Sequence, residues 1–362
     1  MRVSLPASAL VALAVLSLAA PASLRSQEHL SSSAAGFLRV ECPDGADTRV
    51  SVPFHPVPRW RGSLAAAPSH LGGGIVRLSF ALPSADFVAT PHFLLCREPS
   101  VAEGRHFPVL GQAAGSLDIE ASASELAGLG AGAFFEILPA WTLDLLFPPG
   151  QQTTFHLSSG RLATGRGSEL LLFNRESAGT LLAPSRRFYL TAEGWFEVGG
   201  YDAAGDVVIP PGEPFLIRHP EGSGATSFTA SQQVYESGIQ LALRRTEGRR
   251  QDTTVAPPRP VAVALADLGL TPAQFEESLG TDPETRRDEL LVFDNAAPGI
   301  NKAPSAVYFR VGGQWIEDAP GFPAADGSLI EPWAGLLFRK GSGSDDFLVP
   351  WLSPPSYAPG AP

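Results

Sequence analysis

Short apolar runs alternate with turn-forming residues along most of the chain. Runs such as FLRVE (37–41), IVRLSF (75–80) and FFEILP (134–139) are five or six residues long, with Gly, Pro, Asn and Asp common between the runs. This length and these flanking residues favour β-strands, because helices need longer apolar patterns. The pattern therefore predicts a mainly β protein with few short helices.

One apolar stretch occurs twice. Residues 169–195 and 289–315 align without a gap at a constant offset of 120, and 9 of the 27 pairs are identical. With one inserted residue the match resumes between VIPPGEPFLIR (208–218) and LIEPWAGLLFR (329–339). Each copy predicts about four short strands joined by turns. Because so few strands leave an apolar face uncovered, we expect two homologous β-units that pack together.

The remaining segments complete the predicted domain organisation. The strand pattern over 36–140 predicts an N-terminal β-domain, either a small barrel or a sandwich. The first repeat unit is predicted over 141–245 and the second over 246–350, with the boundary in a polar, proline-containing stretch. Residues 23–35 are small and polar and are predicted to be flexible, and residues 351–362 form a Pro-rich tail.

The first 22 residues have the pattern of a secretory signal peptide. Arg2 precedes a long apolar stretch, and small residues near position 20 offer a cleavage site. The alternative is an uncleaved anchor helix, but the apolar run is shorter than a usual membrane span. We therefore expect export to the periplasm, the cell surface or the extracellular space, with no transmembrane segment after cleavage.

Composition narrows the classes of partner. The formal net charge is −11, which argues against binding nucleic acid through a general basic field. With 44% apolar and 17% charged residues, general disorder is excluded. The chain has two cysteines, Cys42 and Cys96. In an exported protein they could form a disulfide, and two buried free thiols are the alternative.

Three segments together resemble one bacterial family. They are FDNAAPGINKAPSAVYF (293–309), PGEPFLIR (211–218) and PAWTLDLLFP (139–148). The chain is similar to a paralogous family of signal-peptide-bearing proteins that is expanded in Verrucomicrobia and their relatives. That family has no established activity, so the resemblance implies no catalytic residue. The first copy departs from the Asn-Lys-Ala-Pro-Ser pattern of 301–305, because Leu181-Leu182 replace Asn301-Lys302.

A search for catalytic and metal-binding motifs gives no strong candidate. The chain has no His-Glu-x-x-His, Cys-x-x-Cys, Gly-x-Ser-x-Gly or phosphate-loop pattern, and we expect no cofactor. Pairs of histidines such as His55 and His92 could converge in space, but ordinary core or surface histidines are the favoured interpretation. Trp195 and Trp315 could stack on sugars, but their place beside apolar strand residues favours core packing.

A carboxylate cluster precedes the second copy. It could bind calcium or act as an acid pair, although two arginines within it favour a solvated charged loop. Its members are Asp282, Glu284, Asp288 and Glu289, with Arg286 and Arg287 between them.

These observations favour a non-catalytic binding or structural protein of the cell envelope or the exterior. The sequence does not identify the partner; an envelope polysaccharide and another protein are the candidates. The alternative is a secreted polysaccharide hydrolase that uses carboxylates such as Asp288 and Glu289. For a binding protein, the turn over 294–305 is the candidate contact, because polar loops on rigid scaffolds often carry recognition. Its candidate residues are Asp294, Asn295, Asn301 and Lys302. The alternative is that this turn only connects two strands, with Asp294 accepting a local hydrogen bond.

Overall fold

The structure is a computed structural model that describes residues 34–162, 164–174, 177–344 and 346–355. The predicted signal peptide over 1–22 and most of the segment 23–35 lie outside the described residues. Within the described part, 26 short strands are joined by turns, with one short α-helix at Leu143–Leu146. Two 3-10 turns occupy Leu265–Leu268 and Pro283–Thr285. The prediction of a mainly β protein with few short helices is confirmed.

The two copies of the repeat form two five-stranded sheets with the same strand order. Both sheets are antiparallel throughout, and equivalent strands occupy equivalent places. The first sheet has the order β14 (Gly194–Glu197), β13 (Arg186–Thr191), β12 (Glu169–Leu172), β16 (Phe215–Arg218) and β2 (Asp47–Val50). The second has the order β23 (Gln314–Glu317), β22 (Ala306–Val311), β21 (Glu289–Val292), β25 (Leu336–Lys340) and β19 (Gln251–Val255).

Two further strand pairs extend the repeat beyond the stretch that sequence comparison found. A long pair in the first copy, β1 (Ala35–Cys42) with β17 (Thr226–Val234), has its counterpart in β18 (Ile239–Arg245) with β26 (Phe347–Ser353). A short pair, β11 (Trp141–Thr142) with β15 (Val208–Ile209), corresponds to β20 (Val263–Ala264) with β24 (Leu329–Ile330). In the first copy β17 also pairs with β3 (Phe54–His55).

The first copy is interrupted by an inserted seven-stranded sheet. All its strands come from residues 60–139 and pair only with one another. Their order is β4 (Trp60–Ser63), β10 (Phe134–Pro139), β7 (His92–Cys96), β8 (His106–Ala113), β9 (Ser116–Glu120), β6 (Ile75–Ser79) and β5 (Ser69–Gly72). The second copy joins β19 to β20 through residues 256–262 instead.

The strand pairing therefore differs from the predicted boundaries at three places. Strands β1 to β3, predicted to lie in an N-terminal domain over 36–140, pair with strands of the first copy. Strand β18, predicted in the first unit, pairs with β26 of the second. Trp351 to Ser353, predicted in the tail, belong to β26, and Trp351 is fully buried. Local patterns identify strands but not partners that lie far away in sequence.

The hydrophobic core has three parts that follow this division. One cluster lies in the first copy around Trp195, one in the second around Trp315, and one in the inserted sheet. Trp195 and Trp315 are both buried, so these tryptophans pack the core at equivalent places. The Trp195 Nε1 donates a hydrogen bond to the Phe147 carbonyl oxygen at 3.1 Å, which satisfies its polar atom.

The two cysteines do not form the disulfide that export would have allowed. Cys42 packs in the cluster of the first copy and Cys96 in that of the inserted sheet, and both are free and buried. Burial raises the pKa of each thiol to about 11. Because each side chain packs in a separate apolar core, both behave as small hydrophobic residues.

Candidate functional site

Each copy of the repeat extends one turn onto the other copy. We call residues 173–185, between β12 and β13, and residues 293–305, between β21 and β22, the two inter-copy turns. Each turn docks on the edge strand of the opposite five-stranded sheet: the first on β19 and the second on β2. An unpaired sheet edge exposes backbone donors and acceptors, so each turn protects the edge of the other copy.

The second inter-copy turn binds β2 through backbone and carboxylate groups. The Asp47 backbone N–H donates to the Gly299 carbonyl oxygen at 3.0 Å. In return, the Asn301 backbone N–H donates to Asp47 Oδ2 at 2.7 Å. The Asp47 carboxylate also accepts two hydrogen bonds from Arg218, at 2.7 and 2.8 Å.

The first inter-copy turn repeats these contacts on β19. The Asp252 backbone N–H donates to the Gly179 carbonyl oxygen at 2.8 Å, and the Leu181 backbone N–H donates to Asp252 Oδ2 at 2.7 Å. Arg339 donates two hydrogen bonds to the Asp252 carboxylate, at 2.8 and 3.0 Å. The same atoms are joined in both contacts, so the association of the copies is reciprocal.

One position in these turns is strained in the first copy and relaxed in the second. Leu181 has φ of 53° and its equivalent Asn301 has φ of 51°, both in the left-handed region. Asn tolerates this region and Leu does not. We therefore expect Leu181→Asn to raise the free energy of unfolding by about 1 kcal/mol, measured by urea denaturation. The same change at Leu182, which lacks a positive φ, is the control, and equal effects at both positions would contradict the strain interpretation.

Of the four candidate residues of the second turn, Asn295 and Asn301 bond to the first copy, whereas Asp294 and Lys302 form hydrogen bonds within the turn. Asn295 acts like a strand residue: its Oδ1 accepts from the Arg49 backbone N–H and its Nδ2 donates to the Arg49 carbonyl oxygen, both at 2.8 Å. Asp294 accepts from the Ala296 backbone N–H at 2.8 Å, which shapes the turn. Lys302 Nζ donates to the carbonyl oxygens of Asp294 and Asn295, at 3.1 and 3.2 Å.

A cavity of about 360 Å³ lies where the two turns meet the two edge strands. Three of the four candidates line it, and Asp294 does not. Eight of the cavity's sixteen lining residues are apolar and eight are polar or charged, and apolar atoms make up most of its surface, as in small-molecule sites. The lining residues are Asp47, Arg49, Phe173, Asn174, Leu181, Leu182, Ala183, Pro184, Leu216, Asp252, Thr254, Phe293, Asn295, Asn301, Lys302 and Leu337.

Arg49 occupies the centre of this arrangement. Its guanidinium lies between the rings of Phe173 and Phe293, which are equivalent residues of the two copies, at 5.0 and 4.3 Å from the ring centroids. Arg49 is only 8% exposed, and its Nε and Nη1 are enclosed with no hydrogen-bond partner in the described structure. Burial lowers the pKa of Arg49 to about 10, against the attraction of Asp47 and Asp252.

A glycine of the second copy makes room for this arginine. A Cβ atom on Gly335 would lie 2.5 Å from Cγ of Arg49 and 2.6 Å from Cβ of Pro214. Real side chains do not approach so closely, so a larger residue would displace Arg49. In the first copy the equivalent of Gly335 is Pro214, and in the second copy the equivalent of Arg49 is Thr254. The cavity therefore has one buried arginine, although equivalent strands and turns of both copies surround it.

Arg49 was not among the sequence candidates. It lies in a segment predicted to belong to a separate N-terminal domain, and the offset of the main repeat does not reach it. The signal that could have found it is short: Asp47-Thr48-Arg49-Val50 matches Asp252-Thr253-Thr254-Val255 in three of four positions. Four residues at a different offset are too few to recognise without the sheets in which they lie.

The carboxylate cluster is separate from this cavity and divides into two parts. Asp282 and Glu284 are exposed in a 3-10 turn, where Asp282 accepts from the Glu284 backbone N–H at 2.9 Å. Asp288 is buried and accepts from Lys340 Nζ and from the Gly341 backbone N–H. Glu289 is buried beside Arg250 and Arg286, at 3.3 and 3.6 Å. These contacts give the two buried carboxylates structural roles.

Several of the described histidines pack against other rings. His55 packs against Tyr235 with 4.6 Å between ring centroids, and His106 packs against the same tyrosine at 5.7 Å. Burial, followed by the nearby Arg97 and His55, lowers the pKa of His106 to about 3. Among the residues that the structure describes, no group of three or more His, Cys, Asp or Glu side chains could hold a metal ion.

Comparisons with protein-family models, with curated proteins and with solved structures found no match. In the described part of the chain no helix is long and apolar enough to cross a membrane.

Proposed function

We propose that this protein is an exported, non-catalytic binding protein of the cell envelope or the exterior, and that the cavity between the two copies takes its ligand. Export rests on the signal-peptide pattern of residues 1–22. The binding site rests on one observation: a cavity of about 360 Å³ encloses a buried arginine whose Nε and Nη1 have no hydrogen-bond partner among the described residues.

The construction of the cavity supports binding without large rearrangement. Its polar walls are fixed by the reciprocal contacts of Asp47 and Asp252, and its apolar walls come from strands and from the inter-copy turns. A volume near the lower end of the usual range for ligand pockets suits a small molecule. A polysaccharide chain or a protein partner would need a more extended surface.

The placement of the carboxylates supports a non-catalytic role. Asp288 and Glu289, the residues that a hydrolase would use in the alternative interpretation, are buried and bonded to basic side chains. Asp47 and Asp252 line the cavity, but each carboxylate accepts two hydrogen bonds from its own arginine and one from a backbone N–H. These carboxylates hold the two copies together, and their oxygens are already engaged in hydrogen bonds.

Fluorine NMR of the purified protein with a set of neutral, anionic and cationic fluorinated fragments tests this proposal. We expect line broadening for a subset of fragments with the wild-type protein. Leu182→Trp should abolish it, because the larger side chain fills the cavity. The matched control is Leu162→Trp, at an exposed residue outside the cavity, which should bind as the wild type does. Binding that is unchanged in Leu182→Trp, or no binding at all, would overturn the proposal.

A further inference from the structure

We propose that the cavity selects a small organic carboxylate, whose carboxylate group bonds to Arg49 and whose apolar body lies against the leucines of the cavity wall. This inference rests on the proposed function and specifies the chemistry of its ligand. Four features of the cavity support it: its charge, the orientation of Arg49, its apolar surface and its asymmetry.

The charge of the cavity is positive once the internal pairs are taken into account. Asp47 is bonded to Arg218 and Asp252 to Arg339, so each acid is matched by its own arginine. Arg49 and Lys302 remain as additional cations on the cavity wall. The two carboxylates also attract Arg49, but neither forms a hydrogen bond with its guanidinium in the described structure. A buried, unmatched charge is costly, and an anion that bonds to it removes this cost.

The orientation of Arg49 favours a planar anion. The guanidinium carbon of Arg49 lies 5.0 and 4.3 Å from the ring centroids of Phe173 and Phe293, so both aromatic rings pack against this group. Its Nε and Nη1 have no hydrogen-bond partner in the described structure. A carboxylate can approach in the plane of a guanidinium and bond to its edge, which is the geometry of arginine–carboxylate pairs. The stacked rings hold the arginine in place before the ligand arrives, which lowers the entropic cost of binding.

The remaining surface favours an apolar body of limited size. Leu182, Leu216 and Leu337 contribute to the wall together with the two phenylalanines. A volume of about 360 Å³ corresponds to roughly twelve water molecules. A fully hydrated inorganic anion would leave this apolar surface in contact with water. An arylalkanoate of the size of phenylpropionate matches both the cation and the leucines.

The asymmetry of the cavity favours a single orientation of the ligand. The frame is duplicated, but Thr254 stands in the second copy where Arg49 stands in the first. Leu181 and Leu182 likewise stand in the first turn where Asn301 and Lys302 stand in the second. Strand β2 and the second turn therefore contribute Arg49, Asn301 and Lys302 to the cavity wall, and the first turn contributes Leu181 and Leu182. An amphiphilic anion fits with its charged group toward the first set.

A matched pair of probes tests the inference on the wild-type protein. The probes are 3-(4-fluorophenyl)propionate and its uncharged amide, titrated separately and followed by fluorine NMR. We expect the acid to bind about tenfold more tightly, because hydrogen bonds to a charged group contribute more than neutral ones. In Arg49→Met, which keeps the length and apolar stem of the side chain, the two affinities should become equal through weaker binding of the acid. Arg49→Lys should recover part of the preference, and thermal unfolding of each variant shows whether it is folded.

The outcomes separate this inference from the proposed function. If the amide binds as tightly as the acid and Leu182→Trp abolishes both, the cavity is the binding site but the carboxylate class is wrong. If the fragment set contains ligands for the cavity and neither probe binds, the carboxylate class is again wrong. If nothing binds in the cavity, both proposals fail. A preference for the acid that persists in a folded Arg49→Met variant would overturn the role of Arg49.

Discussion

Asp252→Ala is expected to lower the free energy of unfolding by about 3–5 kcal/mol, the usual cost of removing one partner of a buried ion pair. The Asp252 side chain is 1% exposed and accepts hydrogen bonds from Arg339 and from the Leu181 backbone N–H. The substitution leaves the arginine charge without its partner. It also releases the first inter-copy turn from β19, so two effects of the same sign combine.

Urea denaturation followed by tryptophan fluorescence measures this change. The control is Asp202→Ala, which removes an exposed carboxylate outside the inter-copy contact and should cost less than about 0.5 kcal/mol. Asp47→Ala should behave like Asp252→Ala, because the contacts are reciprocal. A loss below about 1 kcal/mol in both would mean that these carboxylates do not hold the copies together.

Trp351→Ala is expected to have an effect of similar size, about 3–5 kcal/mol, through the cavity that it leaves in the core of the second copy. Trp351 is 0% exposed, packs against Phe338 with 5.4 Å between ring centroids, and donates from Nε1 to the Leu268 carbonyl oxygen at 3.1 Å. The loss of this residue therefore removes apolar contacts and one of the two hydrogen bonds that the Leu268 carbonyl oxygen accepts, the other coming from Arg259.

The neighbouring residue provides the matched control. Leu352 lies on the same strand, β26, with its side chain on the outer face and 38% exposed. Leu352→Ala should cost about 1 kcal/mol or less, as surface substitutions usually do. If both variants lost the same free energy of unfolding, the strand would stabilise the protein through its backbone pairing, and the buried tryptophan side chain would add nothing further.

The repeated units could be predicted because their residues recur at a fixed spacing. Glu169 and Glu289 begin equivalent strands, and Trp195 and Trp315 occupy equivalent core positions. The position of a buried strand depends on the apolar residues in its own stretch of sequence. The duplication repeated these residues, so both copies give the same prediction. The matching strand order of the two sheets confirms what the constant offset indicated.

The set of strands that forms the first copy could not be predicted in this way. Its edge strand, β2, precedes its neighbour β16 by more than 160 residues, and the inserted sheet lies between them. Nothing in the sequence Asp47-Thr48-Arg49-Val50 indicates that its partner strand lies so far along the chain. The pairing includes a bond between Asp47 and Arg218, which forms only when the two segments meet. Long-range partners are invisible to periodicity, which describes only the face that a strand buries.

The candidate site could be predicted in part. The polar turn over 294–305 borders the cavity, and Asn295, Asn301 and Lys302 line it. The sequence could not indicate that the same polar groups bind the other copy, because this depends on how the two sheets associate. Arg49 could not be found for the same reason: its environment combines Phe173 from one copy with Phe293 from the other.

The interruption of the first copy sets an order of events during synthesis. The inserted sheet draws all its strands from residues 60–139, so it can form as soon as that segment has been made. Strands β1 and β2 are made earlier but find their partners only at residues 215–234, and Asp47 finds Asn301 later still. Contacts between such distant segments form slowly, because a long loop must close first. A nascent chain therefore carries two unpaired strands at its amino end until most of the protein exists, and crowding or slow translation would expose them to aggregation.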